Sequence, residues 1–361
     1  MTTIGDGVRE SAPPLNTAAF DYTLPAGRIA QAPAEPRDAS RLLHCATDGT
    51  ISDHRFTDLP ALLRPGDLLV ANDTTVRAAR LSGERDGGGP AEVLLLERRD
   101  HHHFTALVRP GRRLHAGARI ECGGGLLVTV EGPADGHPGA RVVRLDVAGD
   151  VELAIAAAGA VPLPPYITTP LADPSRYQTV YATGAPASAA APTAGLHVTE
   201  RVQEGLAAAG VGWVTVQLDV GLGTFAPITA TQITAHRMHE ERCTVPAASA
   251  DRIAATRAAG GRVIAVGTTT VRTLESHAAA DGALQPGTLS TSLFITPGYR
   301  FRVVDGLLTN FHQPRSSLLV LLAAFLGMDA WRATYAHALA GGYRFLSFGD
   351  CMLCWRDGTG R

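Results

Sequence analysis

Between about Thr74 and Asp150 the chain changes texture, and this change most limits the folds open to it. Short β-type runs (Ala91–Glu97, Phe104–Val108, Ala118–Glu121, Leu126–Glu131 and Ala140–Leu145) follow at close spacing, separated by Gly, Pro and Asp clusters. That is the pattern of a small antiparallel barrel or sandwich. On either side the pattern is different. Gly66–Asp73 reads as a buried strand ending in polar residues, and Val151–Ala158 as a helix. Strands are expected near Trp213–Leu218, Arg262–Val266 and Thr291–Ile295. They alternate with helices near Ala247–Ala259, Val271–Ala279, Ser316–Leu326 and Trp331–Ala340, which is α/β architecture. The expectation is a large α/β domain built from both ends of the chain, residues 19–73 and 151–361. A small antiparallel β-barrel-like domain, residues 74–150, is inserted in it. Residues 1–18 mix Pro, Gly, Ser and Thr without periodicity and read as a loose leader.

With 361 residues and 45% apolar side chains the chain can fill a sizeable core. A formal charge of -2 excludes a global basic field, so any RNA contact must come from a local patch. The strongest such patch is the expected hairpin Val108–Arg119, which concentrates Arg109, Arg112, Arg113 and Arg119 with His115. It suits either phosphate binding or a solvated turn. All 32 basic residues are arginine, which excludes a Schiff-base lysine mechanism. Five cysteines and no hydrophobic signal segment point to a reduced, cytoplasmic setting. The longest apolar run, Leu318–Leu326, is too short to span a bilayer. Cys351 and Cys354 form a lone Cys-x-x-Cys within the strand-like run Phe348–Trp355, so a structural role is expected. His101–His103 read as a polar turn, and His236 and His239 with Glu241 as a helix face or a hydrogen-bonded loop; no metal site is expected.

Several polar clusters stand at the ends of expected strands, where α/β folds place ligands. The run Ala189–His197 combines small residues, which let backbone approach a ligand, with Pro192, Thr193, Gly195 and His197. A helix expected over Thr199–Ala209 would aim unpaired N–H groups back at it; the other reading is an alanine-rich connector. Leu218–Pro227 contains Gly221, Gly223 and Thr224 in a Gly-x-Gly turn, but lacks the third glycine of a dinucleotide fingerprint. Val266–Arg272 ends a strand and starts a helix, so Thr268, Thr269 and Arg272 could hold a carboxylate or phosphate. Leu308–Pro314, with Asn310 and His312, and Phe348–Asp350 supply further acid, base and amide groups.

In this order the segments resemble the S-adenosylmethionine:tRNA ribosyltransferase-isomerases of queuosine biosynthesis. The resemblance covers nearly the whole chain after the leader. It rests on Phe20–Tyr22, Ile29–Gln31, Arg37–Arg41, Asn72–Thr74, Pro162–Ile167, Tyr177–Tyr181, Ala190–His197, Val220–Phe225, Met238–His239, Val266–Thr269, Thr309–His312, Tyr343–Phe345 and Ser347–Asp350. It implies a monomeric two-domain enzyme with no metal or redox cofactor. Its partners would be S-adenosylmethionine and a tRNA carrying a 7-aminomethyl-7-deazaguanine. Such an enzyme moves the ribosyl part of S-adenosylmethionine onto that aminomethyl group, releases adenine and methionine, and leaves epoxyqueuosine. The sulfonium acidifies the adjacent C5′ protons, so a neutral histidine suffices as base.

On this resemblance His197 or His312 is the expected base, with Asp350 orienting it or accepting a later proton. Thr268, Thr269 and Arg272 are expected at the methionine carboxylate or ribose, and Thr193, Thr224 and Asn310 around the reacting sugar. The glycines of the Ala189–His197 and Leu218–Pro227 loops, Gly195, Gly221 and Gly223, are expected beside the cosubstrate. The chain also departs from the family pattern. Where Asn-Asp-Thr-Arg-Val-Ile-Pro-Ala-Arg-Leu is usual it has Thr75, Arg77 and Ala78 inside Asn72–Leu81, and Leu-His-Val-Gly has become Leu218–Gly221 with Asp219. Gln313, Val198 and Glu240 are smaller departures beside motif residues. Asp219 puts a carboxylate where a titratable base is usual and is included among the candidate catalytic groups. These changes leave open an alternative: a relative that uses S-adenosylmethionine with a small-molecule acceptor, or only binds it.

Overall fold

The computed structural model describes residues 15–135, 139–184, 186–221 and 227–356. The chain first lays down β1 (Arg41–Cys45), β2 (Ile51–Arg55), helix α1 (Leu59–Leu62), β3 (Leu68–Asn72) and the short β4 (Thr75–Val76). Next come β5 (Arg80–Arg85), β6 (Pro90–Arg98), β7 (His103–Arg109), β8 (Arg119–Cys122), β9 (Leu126–Pro133), β10 (Arg141–Asp146), α2 (Val151–Ala158) and β11 (Gly159–Ala160). The remainder is β12 (Pro186–Ser188), α3 (Glu200–Ala208), β13 (Gly212–Leu218), β14 (Glu241–Val245), α4 (Ala247–Ala258), β15 (Val263–Val266), α5 (Thr268–His277), β16 (Gly287–Thr291), β17 (Gly306–Asn310), α6 (Ser317–Leu326), α7 (Met328–Ala340) and β18 (Cys351–Trp355).

A mixed sheet of nine strands, in the order β16-β14-β13-β3-β15-β17-β18-β1-β2, forms the large layer. At its centre β3 runs parallel to both β13 and β15, and β15 parallel to β17. Every residue of β3, β15, β17 and β18 is buried, because apolar layers cover both faces. The period-2 rule sorts their side chains. Leu68, Val70, Val263, Ala265 and Leu307 face a core completed by α4, α5, α6 and α7. Leu69, Ala71, Ile264, Val266 and Leu308 face one completed by α1 and α3. Helices α6 and α7 are bent by 113° at Gly327, whose φ of 91° suits glycine. Among the described residues no single helix is long and apolar enough to cross a membrane.

The second sheet closes on itself. Strand β5 pairs with β6 on one side and β8 on the other, giving a six-stranded antiparallel barrel in the order β5-β6-β7-β10-β9-β8, with β11 added beside β5. Alternate residues Val93, Leu95, Phe104, Ile120, Val128, Val130 and Val143 fill it. The mixed α/β fold with an inserted barrel is therefore as the sequence pattern predicts. The expected boundary at Asp150 falls just before α2, whose Val151 and Ile155 pack into the barrel core. Arg77 fastens the junction: its guanidinium reaches both carboxylate oxygens of Glu152, at 3.2 and 3.1 Å, and the Pro186 carbonyl at 2.6 Å. The family-pattern arginine is absent, but Arg77 supplies a cation at this crossing.

Three local expectations shift. The leader's last residues are ordered: Asn16 caps a 3-10 turn over Thr17–Phe20, and Thr17 is buried. The strand expected near Thr291–Ile295 lies earlier, as β16 at Gly287–Thr291, and stops opposite Glu241, the first residue of its antiparallel partner β14; Leu293, Phe294 and Ile295 pack against the core without pairing. Helix α5 begins at Thr268 rather than Val271, through three threonines whose branched side chains are weak helix formers on their own.

Candidate active site

At the carboxyl ends of β15 and β17 lies a half-open cleft, the usual ligand position in an open α/β sheet. Its polar lining comes from five separate stretches: Tyr166, Thr193, the first turn of α5 with Thr268 and Thr269, Thr309–Ser316 with Asn310, His312 and Gln313, and Ser347. The run Ala189–His197 folds as buried chain ending in a 3-10 turn over Thr193–His197, which sets Thr193 on the cleft wall.

His197 stands behind that wall, not in it. Its Nδ1 lies 2.8 Å from the Ser40 hydroxyl and its Nε2 lies 3.1 Å from the amide nitrogen of Asn310. The same amide nitrogen faces the carbonyls of Leu346 and Asp350 at 3.3 and 3.5 Å, and carbonyls only accept. The Asn310 nitrogen is therefore the donor, Nε2 of His197 accepts, and the ring proton sits on Nδ1, donated to Ser40. Asn310 then turns its oxygen to the Thr193 hydroxyl, which donates to it at 3.1 Å. The Phe56 ring packs over the imidazole at 5.3 Å between centroids. Burial, then the cations Arg344 and Arg37, push the His197 pKa down to about 3, so the ring is neutral.

His312 lines the cleft itself. Its backbone is clamped by two tyrosines: its N–H donates to Tyr335 at 2.8 Å, and the Tyr22 hydroxyl donates to its carbonyl at 2.5 Å. Its Nε2 pairs with the Thr309 hydroxyl at 3.0 Å, and among the described residues no group bonds its Nδ1. Burial pushes its pKa down to about 3, so it too is neutral. Opposite, α5 opens on Gly267 at φ 89° with no capping side chain, leaving its first-turn N–H groups without a cap. The Thr269 hydroxyl, in a residue 8% exposed, has no hydrogen-bond partner among the described residues. A helix N-terminus with an unpartnered hydroxyl beside it favours an anion such as a carboxylate.

The structure thus brings Thr193, Thr268, Thr269, Asn310 and His312 to one cleft and leaves the other described sequence candidates outside its lining. Asp350 is buried, its carboxylate accepting the backbone N–H groups of Arg41 and Arg344 at 3.0 and 2.8 Å. Arg272 is buried in an ion pair with Glu241 and also reaches the Leu293 and Thr291 carbonyls, so it is not offered to a ligand. Gly221 donates its N–H to the same Glu241 at 3.0 Å. Gly195 is a packing glycine, since a Cβ there would lie 1.9 Å from the Tyr181 hydroxyl. Asp219 is half-buried beside Gln217 and outside the cleft lining; burial raises its pKa. Gly223 and Thr224 lie outside the described residues. Arg109, Arg112, Arg113 and Arg119 are exposed on the barrel.

Four contributors have no role in the sequence reading. Ser40 and Phe56 hold His197, Thr309 pairs with His312, and Tyr166 reaches across the cleft to Ser347, hydroxyl to hydroxyl, at 2.7 Å. Ser40, Tyr166 and Thr309 stand inside motif stretches, so position alone could have flagged them; Phe56 carries no such signal.

Comparison with known proteins agrees with this architecture. A family model described as queuosine biosynthesis protein matches residues 17–354. Curated relatives named S-adenosylmethionine:tRNA ribosyltransferase-isomerase include one from Gloeobacter violaceus, 50% identical over 93% of this chain and 95% of its own length. Another, from Symbiobacterium thermophilum, is 52% identical over 92% and 98%. The crystal structure of S-adenosylmethionine tRNA ribosyltransferase from Thermotoga maritima is 36% identical, with a TM-score of 0.53 over 93% of this chain and 99% of that one. With a family match over nearly its whole length and relatives at half identity, the chain belongs to the queuosine biosynthesis protein family.

Proposed function

We propose that the chain is an S-adenosylmethionine:tRNA ribosyltransferase-isomerase. It moves the ribosyl part of S-adenosylmethionine onto the aminomethyl group of a 7-deazaguanine in tRNA, releasing adenine and methionine. What carries the reading is that relatives of that name align end to end with this chain at about half identity. The cleft chemistry supports it. The first turn of α5, with Thr268 and Thr269, takes the methionine carboxylate, and Thr193 and Asn310 take the ribose hydroxyls. His312, held by Thr309 and unbonded at Nδ1 among the described residues, is the base for the C5′ proton that the sulfonium acidifies. Burial keeps it unprotonated, and a bound carboxylate nearby favours the imidazolium once formed. Deprotonation at C5′ is followed by loss of adenine and attack by the acceptor amine; epoxide closure then expels neutral methionine. His197 acts through Asn310 rather than on the substrate. In this reading S-adenosylmethionine is a cosubstrate, no further cofactor takes part, and the enzyme works as a cytoplasmic monomer.

The small-molecule acceptor is the weaker reading. The departure that most favoured it, Asp219, is outside the cleft lining and leaves the lining's charge unchanged. The deciding experiment incubates the protein with S-adenosylmethionine, with and without tRNA bearing the 7-aminomethyl-7-deazaguanine, and follows adenine. Release that requires the tRNA supports the proposal. Release with a small amine but not with the tRNA, or binding without release, overturns it.

A further inference from the structure

At the barrel end where β5 turns into β6 and β7 runs out into the Pro110–Leu114 turn lies a second, shallow and open groove. Arg85, Arg109 and Arg113 line it together with Ser82, Gly83 and Glu92. The lone carboxylate in that set is already neutralised, since Glu92 pairs with Arg80 at 2.9 Å. None of the three arginines has an ion-pair partner among the described residues, whereas elsewhere arginines such as Arg77, Arg262 and Arg272 are each locked to a carboxylate. The Nε of Arg85 is buried with no acceptor. Arg112, in the same turn as Arg113, and Arg119, at the start of β8, are exposed and likewise without ion-pair partners among the described residues. Glu84 on β5, Asp86 just after it and Glu121 on β8 are close by but do not line the groove.

The opposite end of β5 begins three residues after Arg77, the junction residue that reaches the Pro186 carbonyl. A six-residue strand spans roughly 17–20 Å, so the groove stands about a strand length beyond that junction. Three unneutralised guanidiniums around one groove suit phosphate oxygens, which accept their planar N–H forks in pairs.

We propose that this groove binds backbone phosphates of the tRNA, away from the nucleotide being modified. The inference rests on the tRNA-modifying reading above. It makes the inserted barrel an RNA-docking module and explains how a chain of net charge -2 holds a polyanion: through a local site.

The test uses the full chain, Arg109→Ala/Arg113→Ala and Arg109→Lys/Arg113→Lys, with binding of the precursor tRNA followed by fluorescence anisotropy across a series of KCl concentrations. Losing two phosphate contacts lowers the slope of log affinity against log salt by about two and weakens binding roughly tenfold. The lysine pair restores the slope, and the loss appears in the KM for tRNA while affinity for S-adenosylmethionine is unchanged. Millimolar inorganic phosphate does not compete; if it displaces the tRNA from this groove, the site is one for small anions and the proposal falls. An unchanged affinity and salt slope in the folded alanine pair also overturns it, with the enzymatic reading intact. A wild-type protein that binds tRNA through these arginines but releases no adenine overturns the enzymatic reading and leaves the groove standing.

Discussion

The amide nitrogen of Asn310 lies 3.1 Å from Nε2 of His197, whose other ring nitrogen lies 2.8 Å from the Ser40 hydroxyl. This relationship makes His197 an acceptor with a fixed tautomer and gives Asn310 one orientation at the cleft wall. Replacing His197 with Ala leaves Asn310 and Ser40 without their partner and opens a cavity. The expected stability loss is about 2–4 kcal/mol in chemical denaturation. His197→Gln, whose side-chain carbonyl can accept from Asn310, is expected to recover most of the turnover. Adenine release by His197→Gln should keep the wild-type pH profile, and a shifted profile would return His197 to the role of base.

His312 carries the opposite expectation. His312→Ala and His312→Gln should lower the rate of adenine release by about 10²–10⁴-fold, while calorimetric binding of S-adenosylmethionine changes little. Near-normal turnover in either variant would remove it as the base.

The Thr269 hydroxyl has no partner among the described residues, so Thr269→Val should cost no folding stability. A charge-assisted hydrogen bond to the methionine carboxylate is worth enough that the same change should raise the KM for S-adenosylmethionine roughly tenfold. An unaltered KM would place the carboxylate elsewhere.

Acid stability follows from the buried imidazoles. His197 and His312 have pKa values near 3 in the folded protein against an ordinary 6.5, so between these limits the unfolded chain binds more protons. Their contribution is full above pH 6.5 and is lost progressively as pH falls toward 3, at up to about 1.4 kcal/mol per pH unit for each ring. Urea unfolding of His197→Gln over this window should show a pH slope shallower by one proton than wild type.

Arg77 joins α2 to β12 through Glu152 and Pro186, with its own side chain 7% exposed and that of Glu152 22%. Because the pair is partly solvated, Arg77→Ala should cost about 1–3 kcal/mol rather than the larger penalty of a fully buried pair. A lowered Tm with unchanged affinity of the isolated protein for S-adenosylmethionine would identify it as a junction residue.

The β-rich block and the buried runs of β3 and β15 were legible because hydrophobic periodicity is a local property, written into neighbouring residues by the pleat and the burial of each face. The Thr268–Thr269 turn, Thr193, Asn310 and His312 were legible as polar residues at strand ends. The sequence by itself therefore determined the fold class, the family resemblance and a set of site candidates. Only the tertiary structure decided which histidine meets the cleft. His197 and Ser40 are 157 positions apart, and their contact depends on a sheet in which β1 lies beside β18 and β18 beside β17, a strand order that no local pattern encodes. The same long-range order buries Arg272 against Glu241 and turns Asp350 onto backbone amides. Both are polar residues in motif stretches whose chemistry is consumed by the fold rather than offered to a ligand.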